Sequence, residues 1–105
     1  MDDKEFNALA DATLGRIEAA FDACGADIDV EVRPGGVLEV EFADGSKIIV
    51  NRHGVAREIW VAARSGGFHF RHEGGMWRDT RDGAELMTKL AVLASRQAGE
   101  DVDLD

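Results

Sequence analysis

A chain of 105 residues is long enough for one small domain with a single core, and residues 1–105 are expected to form that one domain. Its formal net charge of −9 argues against nucleic acid or an anionic membrane as partner, and favours basic proteins, metal cations or plain solubility. No apolar run approaches bilayer length, the lone Cys24 allows no internal disulfide, and the acidic start Met1-Asp2-Asp3-Lys4-Glu5 is wrong for a secretory signal, so the expected compartment is the cytoplasm.

The first predicted element is a helix. Asp2 and Glu5 have the spacing of a capping box with Asp2 as N-cap. Phe6, Leu9, Ala10, Thr13, Ile17, Ala20, Phe21 and Cys24 recur at helical spacing on one face, and Gly25 follows the last turn. Asp11, Glu18 and Asp22 share the other side. The period then becomes two. In Ile28-Asp29-Val30-Glu31-Val32 the apolar residues point one way, while Asp27, Asp29, Glu31 and Arg33 point the other. Pro34-Gly35-Gly36 turns the chain into a second strand, Val37 to Phe42, with Leu38, Val40 and Phe42 inward. Asp44-Gly45 is a strong hairpin signal. A third strand is expected from Ser46 to Asn51 with Ile48 and Val50 inward, then a turn from Asn51 to Val55. A fourth runs from Arg57 to Ala63 with Ile59 and Val61 inward, a fifth from Phe68 to His72, and a short sixth lies around Met76-Trp77-Arg78.

A second helix closes the domain. Asp82 and Glu85 repeat the capping-box spacing, Leu86, Leu90, Leu93 and Ala94 give the apolar stripe, and Gly99 ends it. The tail, Glu100 to Asp105, either returns along the surface or frays. The expected fold class is therefore α+β, a two-layer sandwich with the N- and C-terminal helices on one face of a five- to six-stranded antiparallel sheet. The opposite sheet face meets solvent or a partner.

Charge is unevenly placed. Residues 1–31 hold nine carboxylates against Lys4 and Arg16, while the remaining chain holds twelve against ten basic residues. Carboxylates are hard oxygen ligands that suit Mg²⁺, Ca²⁺, Mn²⁺ and iron. Strand neighbours on one face are about 6–7 Å apart, too far for a tight chelate, so water would complete any shell. From residue types alone the ridge reads first as solvated charge and second as a cation or partner site. Trp60 has parity opposite Ile59 and Val61 and so projects from the helix-free face, either as an interface anchor or as a ring half covered by neighbours. Asn51 and Arg52 are turn residues or hydrogen-bonding groups for a docked chain. His53 is expected to be a solvated turn residue, His69 to lie on the open face, and His72 near a loop. Cys24 reads as a small hydrophobe rather than a nucleophile. No phosphate-binding glycine loop, catalytic triad, zinc spacing or basic–aromatic patch is present, so an enzyme is not expected.

Several segments together resemble the bacterial frataxins, the CyaY family. They are Asp3-x-Glu5-Phe6-x-x-Leu9-Ala10-Asp11, Asp27-Ile28-Asp29-Val30-Glu31, Gly35-Gly36-Val37-Leu38 and Asp44-Gly45-Ser46-Lys47-Ile48-Ile49-Val50-Asn51-Arg52. Glu58-Ile59-Trp60-Val61-Ala62, Gly66-Gly67-Phe68-His69-Phe70 and Gln97-Ala98-Gly99-Glu100 extend the likeness essentially from end to end. The resemblance implies the same helix–sheet–helix sandwich and Fe²⁺ or Fe³⁺ held weakly by Glu18, Asp22, Asp27, Asp29 and Glu31, with Asp3 and Asp11 secondary. It also implies association with the cysteine desulfurase and scaffold protein of iron–sulfur cluster assembly, through Trp60, Asn51 and Arg52 together with Glu18 and Asp22. The expected state is a monomer, with iron-dependent oligomerisation as the alternative assembly. The chain departs from the family pattern at His53, where glutamine is usual, at Gly54 and Val55, where glutamate and proline are common, at Ala19 and Ala23, which are often acidic, and at Asn7, a histidine in some relatives. The favoured expectation is a non-enzymatic, iron-responsive modulator of cluster assembly; the alternatives are an iron store or detoxifying ferroxidase, and an adaptor with incidental acidity.

Overall fold

The computed structural model describes residues 1–105. In chain order the elements are α1 (Asp3–Ala23), β1 (Ile28–Arg33), β2 (Val37–Phe42), β3 (Lys47–His53), β4 (Glu58–Ala63), β5 (Gly66–Glu73), β6 (Met76–Asp79) and α2 (Leu86–Ala98). The strands form one antiparallel meander in the order β1-β2-β3-β4-β5-β6. Both helices lie on one face, as the strand alternation and the two helical stripes require.

The core is where those stripes meet the sheet. Phe6, Ala10, Leu14, Ile17 and Phe21 from α1 and Leu86, Leu90, Leu93 and Ala94 from α2 close over Leu38, Val40, Phe42, Ile48, Val50, Ile59, Val61, Phe70 and Trp77. Every inward strand residue expected on β2, β3 and β4 is buried. Val32 is the exception to strand parity: it sits on edge strand β1 and is 64% exposed. Leu14 is buried although it lies at the margin of the helical stripe, and Cys24, Leu9 and Ala20 are only half-buried.

Caps decide where the helices start. The Asp2 carboxylate accepts from Glu5 N at 2.8 Å, as the spacing predicts. The second helix differs from expectation. Its N-cap is Glu85, whose carboxylate accepts from Met87 N and Thr88 N, while Asp82 accepts from Ala84 N and pairs with Lys89 at 2.7 Å. The reason is Gly83, at φ 75°, which breaks the chain between the two acids, and the Arg78–Glu85 bridge, which holds Glu85 extended.

The tail returns rather than frays. Ser95 Oγ accepts from Val102 N at 2.9 Å, and Val102 and Leu104 are buried between exposed aspartates. At the β1–β2 turn Gly36 has φ 77°, and a Cβ there would overlap the Arg52 side chain, so only glycine fits. The third strand runs to His53, past its expected end, and the left-handed Arg57 (φ 54°) completes the turn into β4.

Candidate metal-binding ridge and docking face

The carboxylates of α1 and β1 divide into two groups. Asp3 is paired with Arg57 Nη2 at 3.0 Å, Asp11 with Arg52 Nη1 at 2.7 Å, and Glu31 with Arg33 Nη2 at 2.8 Å. Glu18, Asp22, Asp27 and Asp29 take part in no ion pair. The negative charge of the ridge is thus concentrated at the C-terminal half of α1 and the start of β1. The two secondary candidates, Asp3 and Asp11, are held by arginines that the sequence order does not bring to mind, since 54 and 41 positions separate the partners.

Register adds a carboxylate that sequence reasoning left out. Asp29 lies directly opposite Glu41, and Glu31 opposite Glu39. Glu39 is neutralised: Lys47 at 2.6 Å and Arg33 at 2.7 Å hold its carboxyl below the usual carboxylate range, the Lys47 contact most strongly. Glu41 makes no ion pair of its own: Lys47 lies opposite it on β3 but is bonded to Glu39, so Asp29 and Glu41 form a like-charge pair that Lys47 relieves only from a distance. The signal in the sequence is the hairpin itself, because counting back from the turn at Pro34-Gly35-Gly36 pairs these positions.

The donor set suits a hard cation, but no group of three or more His, Cys, Asp or Glu side chains is arranged to hold one. The ridge can gather a hydrated ion through one or two carboxylates at a time. It cannot clasp one tightly as it stands.

The helix-free face carries Trp60, as strand parity predicts. Its ring is half-buried between two imidazoles, with centroids 3.7 Å from His53 at an interplanar angle of 10° and 4.3 Å from His69 at 7°. Trp60 Nε1 donates to Glu58 Oε1 at 2.9 Å. Glu58 is 5% exposed on a sheet face otherwise open to solvent. Burial pushes its carboxyl up, but the Trp60 and Arg71 hydrogen bonds (Arg71 Nη2 at 2.7 Å) outweigh it and leave it below its ordinary value.

Asn51 is on the same face, directly opposite Trp60, and its Nδ2 donates to Arg52 O at 3.2 Å. Arg52 is not. It shares the inward parity of Ile48 and Val50, emerges beside α1 and bonds Asp11. The turn expected at Asn51 and Arg52 is corrected: both belong to β3, which runs on through His53, and Arg52 ties α1 to that strand. For the same reason His53 is a half-buried strand residue stacked on Trp60, not a solvated turn residue. His72 is half-buried and edge-on to Trp77 at 5.1 Å, and Trp77 is core.

The architecture and its two surfaces, an acidic ridge and an aromatic sheet face, define a two-layer α+β sandwich protein with separate charged and aromatic faces. Residues 1–100 match the family model for the Frataxin-like domain. The chain is 70% identical over 104 residues to the iron-sulfur cluster assembly protein CyaY of Dechloromonas aromatica, covering 99% of each. It is 50% identical to the protein of that name in Cupriavidus metallidurans, covering 99% of this chain and 96% of that one. Among solved structures it resembles frataxin from Psychromonas ingrahamii with a TM-score of 0.91 and 34% identity, over 100% of this chain and 99% of that one. Trimeric frataxin of Saccharomyces cerevisiae in a ferrous complex matches with a TM-score of 0.69 and 26% identity, over 91% of this chain and 87% of that one. The chain belongs to the frataxin (CyaY) family.

Proposed function

We propose that this protein acts in iron–sulfur cluster assembly as a non-enzymatic, iron-responsive modulator working in the cytoplasm. It gathers Fe²⁺ or Fe³⁺ weakly on the ridge and docks on the cysteine desulfurase and its scaffold partner. The observation that carries the reading is the set of unpaired carboxylates, Glu18 and Asp22 on α1, Asp27 in the turn that follows and Asp29 on β1. Unpaired acids attract a cation and a basic protein surface alike, so iron on the ridge changes the charge that the partner meets. The names borne by the relatives and the ferrous complex of the yeast protein support this reading.

Amide NMR mapping with two titrants tests it, Fe²⁺ under anaerobic conditions and a purified cysteine desulfurase. Iron should perturb amides from Glu18 to Glu31, and the desulfurase should perturb that ridge together with Trp60. No localised response to either would overturn the assignment. Trp60→Ala should weaken docking by about 2 kcal/mol or more while the fold persists, because the ring lies outside the core. Global unfolding of that variant, seen by circular dichroism, would refute the placement of the docking face.

The trimeric yeast neighbour favours a second reading, an iron store with ferroxidase activity. Iron-dependent assembly into large particles with oxidation of Fe²⁺ would select it over the first.

A further inference from the structure

Three flat rings stack on the helix-free face in the order His53, Trp60, His69, one each from β3, β4 and β5. Cross-strand register builds the stack: Trp60 lies opposite His69, and His53 lies opposite Glu58, diagonal to the indole. Beneath the rings sits the buried Glu58 carboxylate, which accepts from Trp60 Nε1 and Arg71 Nη2 and lies 3.7 Å from His69 Nδ1. Stacking from two sides and a hydrogen bond at its edge fix the indole in one orientation. None of this serves the core, which β4 supplies through Ile59 and Val61 on the other face.

Both imidazoles are wired to other groups in a way that depends on protonation. His53 Nδ1 accepts a hydrogen bond from Ala56 N at 3.2 Å, so that nitrogen carries no proton while the bond exists. Protonating it turns the acceptor into a donor and releases Ala56 N–H, which loosens the turn from Gly54 to Arg57. Protonating His69 places a cation beside Glu58 Oε1, where it competes with Trp60 Nε1 for the same oxygen. The groups that face the two histidines are Glu58 and Trp60 from β4, Asn51 from β3, Arg71 on β5 and Arg78 opposite it on β6. Arg57, in the loop beside His53, is directed away to Asp3 and Met1 O. Arg71 and Arg78 already outnumber Glu58, the one acid among them, so each added proton increases a positive charge that Trp60 already faces.

We propose that docking through Trp60 is controlled by protonation of His53 and His69, with Glu58 as the positioning residue that holds the indole for docking. This rests on the docking reading above and names its regulation. Imidazole is the side chain that ordinarily changes charge between about pH 5 and 8. As pH falls, the indole frame is disturbed and the positive charge around Trp60 grows, so docking weakens.

The test measures the affinity of the full chain for a purified cysteine desulfurase, at about pH 7.5 and about pH 5.8. Wild type is compared with the double variant His53→Gln/His69→Gln, using one partner preparation. The readout is the ratio of affinities at the two pH values within each protein, so titration of the partner is common to both. Wild type should lose roughly fivefold or more on acidification and the double variant about twofold or less. Docking with the same ratio in both proteins overturns this proposal alone; no docking at either pH overturns it together with the docking reading. A second readout needs no partner: the Trp60 indole N–H resonance of the free chain should shift over the same pH range in wild type and hold still in the double variant. A resonance that does not move in wild type overturns the proposal.

Discussion

The hydroxyl of Thr13 faces two ways, donating to Leu9 O at 2.9 Å and accepting from Trp77 Nε1 at 2.9 Å. Thr13 is 5% exposed, so the indole N–H it satisfies has no water to turn to. Thr13→Val keeps the shape and removes the acceptor, and should cost about 1–3 kcal/mol, read as a lower urea midpoint with an unchanged slope. Glu58 answers a different question. Its folded pKa lies below its ordinary value of 4.5, so the stability it contributes is present above that pH and is lost as pH falls through the folded value. Glu58→Gln should therefore be less stable than wild type at pH 7 and should show a shallower acid limb below about pH 4.5. Parallel acid denaturation curves for the two proteins would contradict this.

Edge strand β1 carries its charge where strand pairing makes it cost most. Asp29 and Glu41 stand directly opposite, and the cation nearest to Glu41 in register, Lys47 on β3, is bonded to Glu39 instead. Asp29→Asn should stabilise the fold by about 0.2–1 kcal/mol, seen as a higher melting temperature, while reducing the iron-induced NMR shifts on the ridge. A variant that is both less stable and unaltered toward iron would mean that the pair is solvated scenery. The strands and both helices were legible from alternation and stripe, since those depend on residues near in sequence. Arg52 and His53 were not, because their roles follow from where β3 stops: ending it at Asn51 hides the parity that sends Arg52 to Asp11 and His53 to Trp60. The second helix start was misplaced by three residues for a similar reason, a glycine that interrupts an otherwise plausible box.

For the molecule as a whole, the net charge of −9 is distributed, not uniform. Arginines draw off Asp3, Asp11 and Glu31, and the residue of negative potential settles on Glu18, Asp22, Asp27, Asp29 and Glu41. Docking driven by that potential should weaken as ionic strength rises from about 0.05 to about 0.5 M, because screening shortens its reach to a few ångströms. Affinity measured by calorimetry across that range and found constant would exclude the ridge as the source of attraction. The location of the ridge was visible in the sequence, but its extent was not, because the neutralising partners lie far along the chain.

In this meander the order of strands in space is their order along the chain. Each β-hairpin can zip onto the one before it with only a short loop to close, and local closure is fast. The first helix is different: its hydroxyl reaches Trp77 across 64 positions. Nascent chain leaving a ribosome could seat the acidic segment on β1 and β3 early, through Arg52 and Arg57, yet the Thr13–Trp77 bond would wait until the sixth strand emerged. The ridge is then placed in two stages, its charge pattern set early and its helix locked only when the far edge of the sheet is standing.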